Sequence, residues 1–181
     1  LAYLVANWLA HFRTPPWTLT LVFVNTGLEY PEVQHFVDKY AAWLRKRFPS
    51  VAIDLVRLRP KFNIRQVIER YGYPVISKRV SGYICSARND PNSMRAKWIR
   101  GEEKTIFVAA GTWEFLIDAP FKISDRCCDV MKKRPMNHYA AATGRRPITA
   151  EMATESLQRK AQWERTGCNA FQAQHPKGKP M

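Results

Sequence analysis

"LTLVFVNTGLEYPEVQHFVDKYAAWLRKRF", residues 19–48, begins as an apolar, β-branched run and then changes to a helical repeat. The run at 19–25 is short and continuously apolar, which is typical of a buried strand in a parallel sheet. Pro31 suits the first turn of a helix, where its missing N–H costs nothing. The apolar residues after it recur at helical spacing: Val33, Phe36, Val37, Tyr40, Leu44 and Phe48.

A second apolar run, "VAIDLVR" at 51–57, follows this helix. The order strand, helix, strand predicts a crossover connection and therefore an open, mostly parallel α/β sheet with flanking helices. In such sheets ligands bind outside the carboxyl ends of the strands, which here is the turn Asn25, Thr26 and Gly27. A glycine there lets backbone approach a ligand, although a plain strand-to-helix turn explains the same three residues equally well.

The rest of the sequence indicates mainly helices. We expect one helix over residues 63–72, ended by Gly72, and another over residues 124–133, with Ser124 as its N-cap. The stretch "HYAAAT" at 138–143 predicts a short helix before Gly144. Residues 73–115 mix cations, small residues and turn formers, and are compatible with a helix between loops.

Both ends of the sequence carry further patterns. "PITAEMA" at 147–153 is compatible with a third strand, and a helix capped by Thr154 follows it. At the other end, a first helix has its apolar face on five residues: Leu1, Leu4, Val5, Trp8 and Leu9. The sequence has no initiator Met and starts inside that helical pattern, so we expect a single domain over residues 1–181 that is incomplete at both ends.

The composition is strongly basic. Lys and Arg number 29 against 15 Asp and Glu, a formal net charge of +14, which attracts phosphates, nucleic acid or other anions. A solvated basic surface is the alternative, because the cations are scattered along the chain. The longest apolar runs are too short to span a membrane, and no signal peptide is visible. We therefore expect a cytoplasmic protein with reduced thiols.

"SDRCCDVMKKRP", residues 124–135, holds two adjacent cysteines at a predicted helix start. The positive end of the helix dipole and four nearby cations, Arg126, Lys132, Lys133 and Arg134, predict a lowered thiol pKa and hence thiolates able to bind metal. On composition alone, two buried structural cysteines are the favoured interpretation.

Four segments in order give a resemblance to a known family. "FVNTGLEYPEV" at 23–33, "DAPFKISDRCCDVMKKRP" at 118–135, "TGRRPITAEMATESLQRKAQWERTGCNAF" at 143–171 and "PKGKPM" at 176–181 resemble the phosphoadenosine phosphosulfate reductase family. The similarity is greatest to phage and bacterial members. The resemblance implies the adenine nucleotide alpha-hydrolase-like, Rossmann-like fold, and an oxidoreductase or transferase acting on adenylyl sulfate-type substrates.

The family binds an adenine nucleotide, namely adenosine phosphosulfate, its 3′-phosphorylated form or ATP, and the resemblance implies two binding segments. Asn25, Thr26 and Gly27 correspond to the segment beside the nucleotide. The "TESLQR" segment corresponds to the part that faces phosphate or sulfate, with these three candidates: Glu155, Ser156 and Arg159. Arg offers a planar fork of donors to an oxyanion, Ser a hydroxyl, and Glu a carboxylate that orients the Arg. An ordinary amphipathic helix surface is the alternative.

In iron–sulfur members of the family, a Cys-Cys pair and later cysteines hold a four-iron four-sulfur cluster. The pair here, Cys127 and Cys128, is similar to that pair, so the resemblance implies ligation by them together with Cys168 and, as fourth thiolate, Cys85. Zinc on the same four residues is the alternative. If the protein is a reductase, Cys168 is the candidate nucleophile, and a thioredoxin-type protein the candidate reductant.

Two family motifs do not occur in these residues. They are the Ser-Gly-Gly-Lys-Asp-Ser-like loop before the first family helix and the Glu-Cys-Gly-Leu-His-type tail with the redox cysteine. Since that loop cradles phosphate, a complete reductase cycle is not assigned to these residues. Two alternatives stay open: a subunit for sulfur modification of nucleic acid, which the basic charge favours, and a degenerate, non-catalytic binding module.

Overall fold

The computed structural model describes residues 1–12, 17–106, 111–150, 152–155 and 157–166. The chain divides into two units, one of Ala2–Arg145 and one of Arg146–Met181 with Leu1. The first unit contains strands β1 (Thr18–Val24) and β2 (Ala52–Leu58) and helices α1 (Ala2–Phe12), α2 (Pro31–Arg47), α3 (Ile64–Tyr71), α4 (Lys78–Asn89), α5 (Met94–Arg100) and α6 (Arg134–Thr143). The second contains α7 (Leu157–Thr166). Within the described ranges, no helix is both long and apolar enough to cross a bilayer.

The two strands and α2 form the predicted strand, helix, strand unit. β1 and β2 run parallel in a register that pairs Thr18 with Ala52 and Val24 with Leu58. Pro31 occupies the first turn of α2, as its fixed φ favours. The fold is therefore mixed α/β, with an open two-stranded parallel sheet and flanking helices. The Rossmann-like assignment stays a prediction.

The predicted third strand is wrong in the described part of the segment. Residues 147–150 have no regular structure, and Ala153–Glu155 form one turn of 3₁₀ helix. Pro147 cannot donate to a strand ladder, and the residues after it include good helix formers. The predicted helix is present as α7, which begins at Leu157, but Thr154 lies within the 3₁₀ turn and not at the start of α7 as its predicted cap.

One core lies where α1 and α2 pack with the strands. Its buried members are Ala6, Leu44, Phe48, Val51 and Ile53. The first helix is confirmed, but its predicted apolar face is only partly right: Leu9 packs against this core, whereas Leu4 is 66% exposed and the fully buried residue is Ala6. The small Ala6 side chain lets α1 approach closely, so the buried stripe is the one with smaller residues.

The described part of residues 73–115 contains the α-helices α4 and α5, where the sequence predicts only a helix between loops. Both begin with a serine N-cap: Ser77 accepts from Val80 N at 3.2 Å, and Ser93 from Ala96 N at 3.3 Å. These caps satisfy amide groups that a helix start leaves unpaired. A second core holds the two helices together, formed by Val80, Ile84, Ala87, Ala96, Ile99, Leu116 and Ile123.

Arg88 of α4 fixes the segment that leads to the cysteine pair. Its guanidinium donates to four backbone oxygens, those of Leu116, Ile117 and Phe121 at 2.7 Å and that of Ala119 at 2.9 Å. A guanidinium has five N–H donors in a planar fork, which suits several carbonyl groups at once. The side chain therefore takes the place of regular secondary structure in residues 117–121, which follow the 3₁₀ turn Glu114–Leu116.

A single parallel bridge joins the end of α3 to the residues before the cysteine pair. Tyr73 N donates to Lys122 O at 2.8 Å, and Ser124 N donates to Tyr73 O at 3.1 Å. Gly72 ends α3, as predicted, with φ at 110°. A Cβ on Gly72 would lie 2.5 Å from the carbonyl carbon of Lys122, so only glycine allows this approach.

Replacing Arg88 by Met should lower the free energy of unfolding by about 3 kcal/mol, because four carbonyl groups lose a charged donor. Urea unfolding followed by circular dichroism measures the change. The matched control is Arg65→Met, since the Arg65 side chain is 86% exposed and pairs with Glu69 one turn away. That control should cost under about 0.5 kcal/mol. Equal losses in the two variants would contradict the role of Arg88.

Gly72→Ala should lower the free energy of unfolding by about 2–5 kcal/mol, through the backbone clash and the positive φ together. Gly144→Ala is the control, because Gly144 also has a positive φ, 66°, but a Cβ there would meet nothing within 4 Å. The control should cost about 1 kcal/mol. The same loss in both variants would contradict the claim that the close approach of Gly72 to Lys122 makes the substitution more costly than a positive φ alone.

Candidate functional site

The cysteine pair begins one continuous helix, residues 127–143, which we call the cysteine helix. Its second part, Asp129–Lys133, is a π-helical turn in which Arg134 N donates to Asp129 O, and α6 follows directly. Pro135 has no N–H for Met131 and would crowd that carbonyl in a regular helix, which accounts for the wider turn. The two predicted helices are therefore one. Ser124 is not directly at the helix start as predicted, because the helix begins at Cys127; the Ser124 hydroxyl accepts from Arg126 N at 3.4 Å in the turn before it.

Cys127 and Cys128 are both half-buried. Burial raises the pKa of the Cys127 thiol, the neighbouring Cys128 raises it further, and the charge of Lys78 lowers it by a smaller amount. The prediction that the dipole and the local cations lower this pKa is therefore wrong for Cys127. Its side chain packs with the third core, formed by Val67, Val130 and Met131, and desolvation there disfavours the thiolate.

Cys85 lies on α4, is half-buried, and accepts from Asn89 Nδ2 at 3.6 Å. Three residues before it, a Cβ on Gly82 would approach the Asp125 carboxylate to 3.3 Å. In the parts of the chain that the structure describes, no three His, Cys, Asp or Glu side chains form a group able to hold a metal. Cys168 lies outside the described residues. A cluster needs four thiolates, so the described residues alone do not make the site, and cluster or zinc ligation stays a prediction.

The turn after β1 is closed by its own side chains. The Glu29 carboxylate accepts from Thr26 N at 2.8 Å and from Thr26 Oγ1 at 2.6 Å. Asn25 Oδ1 accepts from Gly27 N at 2.9 Å, and Thr26 Oγ1 accepts from Leu28 N at 3.3 Å. Desolvation acts to raise the pKa of Glu29, but the hydrogen bonds from Thr26 and nearby backbone amides outweigh it and hold this pKa below the ordinary value.

These contacts limit what the predicted binding residues Asn25, Thr26 and Gly27 offer a ligand. Thr26 is buried, and the backbone amides of residues 26–28 already donate to side chains of the same turn. A phosphate group would also meet the ionised Glu29 carboxylate. Gly27, with φ at 81° and open space around its Cβ position, is the member of the turn that leaves room for close approach.

A cleft of about 600 Å³ lies between the end of β2 and the cysteine helix. Its wall on the β2 side comes from Leu58, Arg59, Lys61 and Phe62. The opposite wall comes from Val130, Arg134, Pro135, His138, Tyr139 and Ala142. The size falls in the range of small-molecule pockets, which are mostly apolar with a few polar groups.

The cleft carries an excess of positive charge. Arg134 donates to the Asp129 carboxylate, at 3.1 Å from Nε and 3.0 Å from the second nitrogen, and contacts the Tyr71 hydroxyl at 3.4 Å. These partners raise the pKa of Arg134. Arg59 and Lys61 are exposed and form no ion pair within the described ranges, although Lys61 lies 5.7 Å from the centre of the Phe62 ring. Two cations are therefore available to an anion.

The sequence patterns do not single out these cleft residues. "RPKF" at 59–62 directly follows β2, so the rule that places a ligand after β1 applies to it as well. Arg134 stands out in the sequence only as a neighbour of the cysteines. His138 and Tyr139 give no signal by themselves, because only the continuous helix across Pro135 brings them to the same wall as Arg134.

The remaining predicted binding residues belong to the second unit. The Arg159 guanidinium pairs with the Glu155 carboxylate, four residues earlier. This pairing agrees with a carboxylate that orients the arginine, and equally with an ordinary pair on a helix surface. Ser156 lies outside the described residues. Substrate contact by Glu155 and Arg159 stays a prediction.

Comparison with protein-family models, curated proteins and solved structures finds no match for this chain. The resemblance to the phosphoadenosine phosphosulfate reductase family therefore rests on the sequence motifs alone and stays a prediction.

The raised pKa of Cys127 predicts slow alkylation at neutral pH, because the thiolate is the reacting form. The iodoacetamide rate at Cys127, followed by tandem mass spectrometry from pH 7 to 10, should rise at a higher pH than for free cysteine. Cys128→Ser should move the rise to lower pH, since Cys128 raises this pKa, and Lys78→Ala should move it to higher pH. A rise below that of free cysteine would show that the dipole and cations outweigh burial.

Proposed function

We propose that this chain is a phosphoadenosine phosphosulfate reductase-like domain that binds an adenine nucleotide in the cleft between β2 and the cysteine helix. The observation that carries the proposal is the lining of the cleft, which combines exposed cations with flat and apolar side chains at the end of a parallel strand. Ligands of open α/β sheets bind at this end of the strands.

The cations fit the charged part of such a ligand. Arg59 and Lys61 follow β2 directly, and both are exposed. Arg is suited to planar, bidentate contact with a phosphate or sulfate, and Lys acts as a point charge. Arg134 lies on the opposite wall, where Asp129 fixes its position and balances its charge, so the cations available to the ligand are Arg59 and Lys61. The chain as a whole carries a net charge of +14, which attracts anions to the cleft.

The other side chains fit the base. Phe62 and Tyr139 offer aromatic surface, and Val130, Pro135 and Ala142 offer apolar contact. An adenine ring is flat and has apolar faces, so it gains from such surfaces as bases do on aromatic side chains. The cleft volume of about 600 Å³ accommodates a mononucleotide.

Within this proposal, the turn after β1 borders the nucleotide and does not cradle its phosphates. Its amides donate to Glu29, Asn25 and Thr26, so the phosphates are left to the cations of the cleft. The reaction class that the resemblance implies is sulfonucleotide reduction, or sulfur or nucleotidyl transfer. Its candidate nucleophile, Cys168, lies outside the described residues, so the proposal for the cleft is limited to binding.

Isothermal titration calorimetry of the full 181-residue chain tests the proposal with ATP, adenosine phosphosulfate and its 3′-phosphorylated form. Arg59→Ala and Lys61→Ala should each weaken binding by about 10- to 100-fold, as expected for the loss of a charge-assisted contact. Lys104→Ala is the control, because Lys104 is exposed and does not line the cleft. It should bind like the unchanged protein.

Tyr139→Ala tests the base separately from the phosphates. It should weaken binding of ATP but leave the weak binding of inorganic triphosphate unchanged. Binding of all three nucleotides that is unaffected by Arg59→Ala, Lys61→Ala and Tyr139→Ala would place the nucleotide elsewhere. Absence of binding by the unchanged, folded chain would contradict the proposal for these residues.

A further inference from the structure

Three sulfur-containing residues stand at the start of the cysteine helix. Cys127 and Cys128 are adjacent, and Met131 follows Cys127 after four residues. On a helix, residues four apart share a face, and each side chain leans toward the N-terminus, so the Met131 side chain extends toward Cys127. Both residues pack in the third core, as expected for residues on one face.

The two thiols are neighbours in space as well as in sequence. Burial is the main cause that raises the pKa of Cys127, and the charge of Cys128 and a hydrogen bond between the two side chains raise it further. A hydrogen bond between the side chains requires that the two sulfur atoms lie side by side. The pair can therefore contact one cation together.

The surroundings of these sulfur atoms are apolar on the protein side. Met131 and Val130 are each 3% exposed, and Val67 is 1% exposed. Both cysteines are half-buried, so their thiols can still be reached from solvent. An apolar shell of this kind limits the access of water, which suits a cation that binds sulfur and needs no water ligand.

The number and type of these ligands decide which metal they fit. Within the described ranges no three His, Cys, Asp or Glu side chains form a metal-holding group, so the four ligands that zinc prefers are not assembled there. Soft thiolate and thioether ligands select univalent copper. Univalent copper has a filled d shell and is stable with two or three ligands, which two thiolates and one thioether supply.

We propose that Cys127, Cys128 and Met131 form a binding site for one univalent copper ion. On binding, the two S–H bonds break, two copper–thiolate bonds and one copper–thioether bond form, and two protons pass to solvent. Copper stays univalent, so the step needs neither an oxidant nor a reductant. The occupied site carries one net negative charge, which the nearby charge of Lys78 stabilises.

The copper site differs from the nucleotide cleft and from the predicted cluster. None of its three residues lines the cleft, so it does not depend on the proposed function. The predicted cluster or zinc site adds Cys85 and Cys168 to the cysteine pair, whereas the copper site adds Met131. The thioether distinguishes the two sites, because neither zinc nor a four-iron cluster requires it.

Competition for Cu(I) between the reduced full chain and the chelator bicinchoninate, without oxygen, measures the affinity. Met131→Leu should weaken Cu(I) binding about tenfold or more, because one soft ligand is lost, and should leave zinc binding unchanged. The substitution nearly conserves volume, so the core tolerates it. Met136→Leu is the matched control, since Met136 lies on the same helix but outside the third core.

X-ray absorption at the copper edge counts the ligands directly. We expect three sulfur neighbours in the unchanged chain and two in Met131→Leu. Cys127→Ser and Cys128→Ser should each abolish stoichiometric binding, whereas Cys85→Ser should have no effect. Circular dichroism of every variant separates loss of binding from loss of fold.

Three results would overturn the proposal. The first is the absence of stoichiometric Cu(I) binding by the unchanged, folded chain. The second is equal Cu(I) affinity of Met131→Leu and the unchanged chain, since the thioether would then not be a ligand. The third is a loss in Cys168→Ser as large as that in Cys127→Ser, which would place the copper among the cysteines predicted for the cluster.

Discussion

The close approach of Gly72 to the backbone of Lys122 is the constraint on which the candidate site depends. It allows Tyr73 to exchange two backbone hydrogen bonds with the residues just before the cysteine helix. The helix start is thereby fixed beside the end of α3, where Val67 packs with Val130 and Met131. Since α3 follows β2 after a short connection, the same contacts set the cysteine helix opposite the end of that strand and create the cleft.

Some polar groups near the sheet edge already have hydrogen-bond or ion-pair partners among the described residues, and others do not. Only those without such partners can bind a ligand without first breaking an internal contact. Glu29 and the side chains of its turn satisfy one another, and Arg134 is held by Asp129. Arg59 and Lys61 are exposed and, within the described part of the chain, available. An anion is stabilised most by donors that have no competing partner, so the cleft is a better phosphate site than the turn that the sequence indicates.

The sequence predicts those features that local chemistry determines. Continuous apolar runs and Pro31 are sufficient for β1, α2 and β2, and Gly72 and Gly144 do end helices as their positions predict. The sequence predictions are wrong where the structure depends on contacts between residues far apart in the chain. The buried stripe of α1 depends on what packs against Ala6, and the pKa of Cys127 depends on its burial with the third core. The sequence predicts separate helices on the two sides of Pro135. In the structure a π-helical turn accommodates the proline and the helix continues, and this continuous helix forms one wall of the cleft, which therefore could not be predicted.

The most direct test of the central claim is a map of the nucleotide on the chain. Nitrogen–proton correlation spectra of the labelled protein, recorded during titration with ATP, report each backbone amide separately. We predict the largest shifts at Arg59, Lys61 and His138, with small shifts at the amides of residues 26–28, whose hydrogen bonds are internal. Large shifts confined to that turn, with none at the cleft, would contradict nucleotide binding between β2 and the cysteine helix.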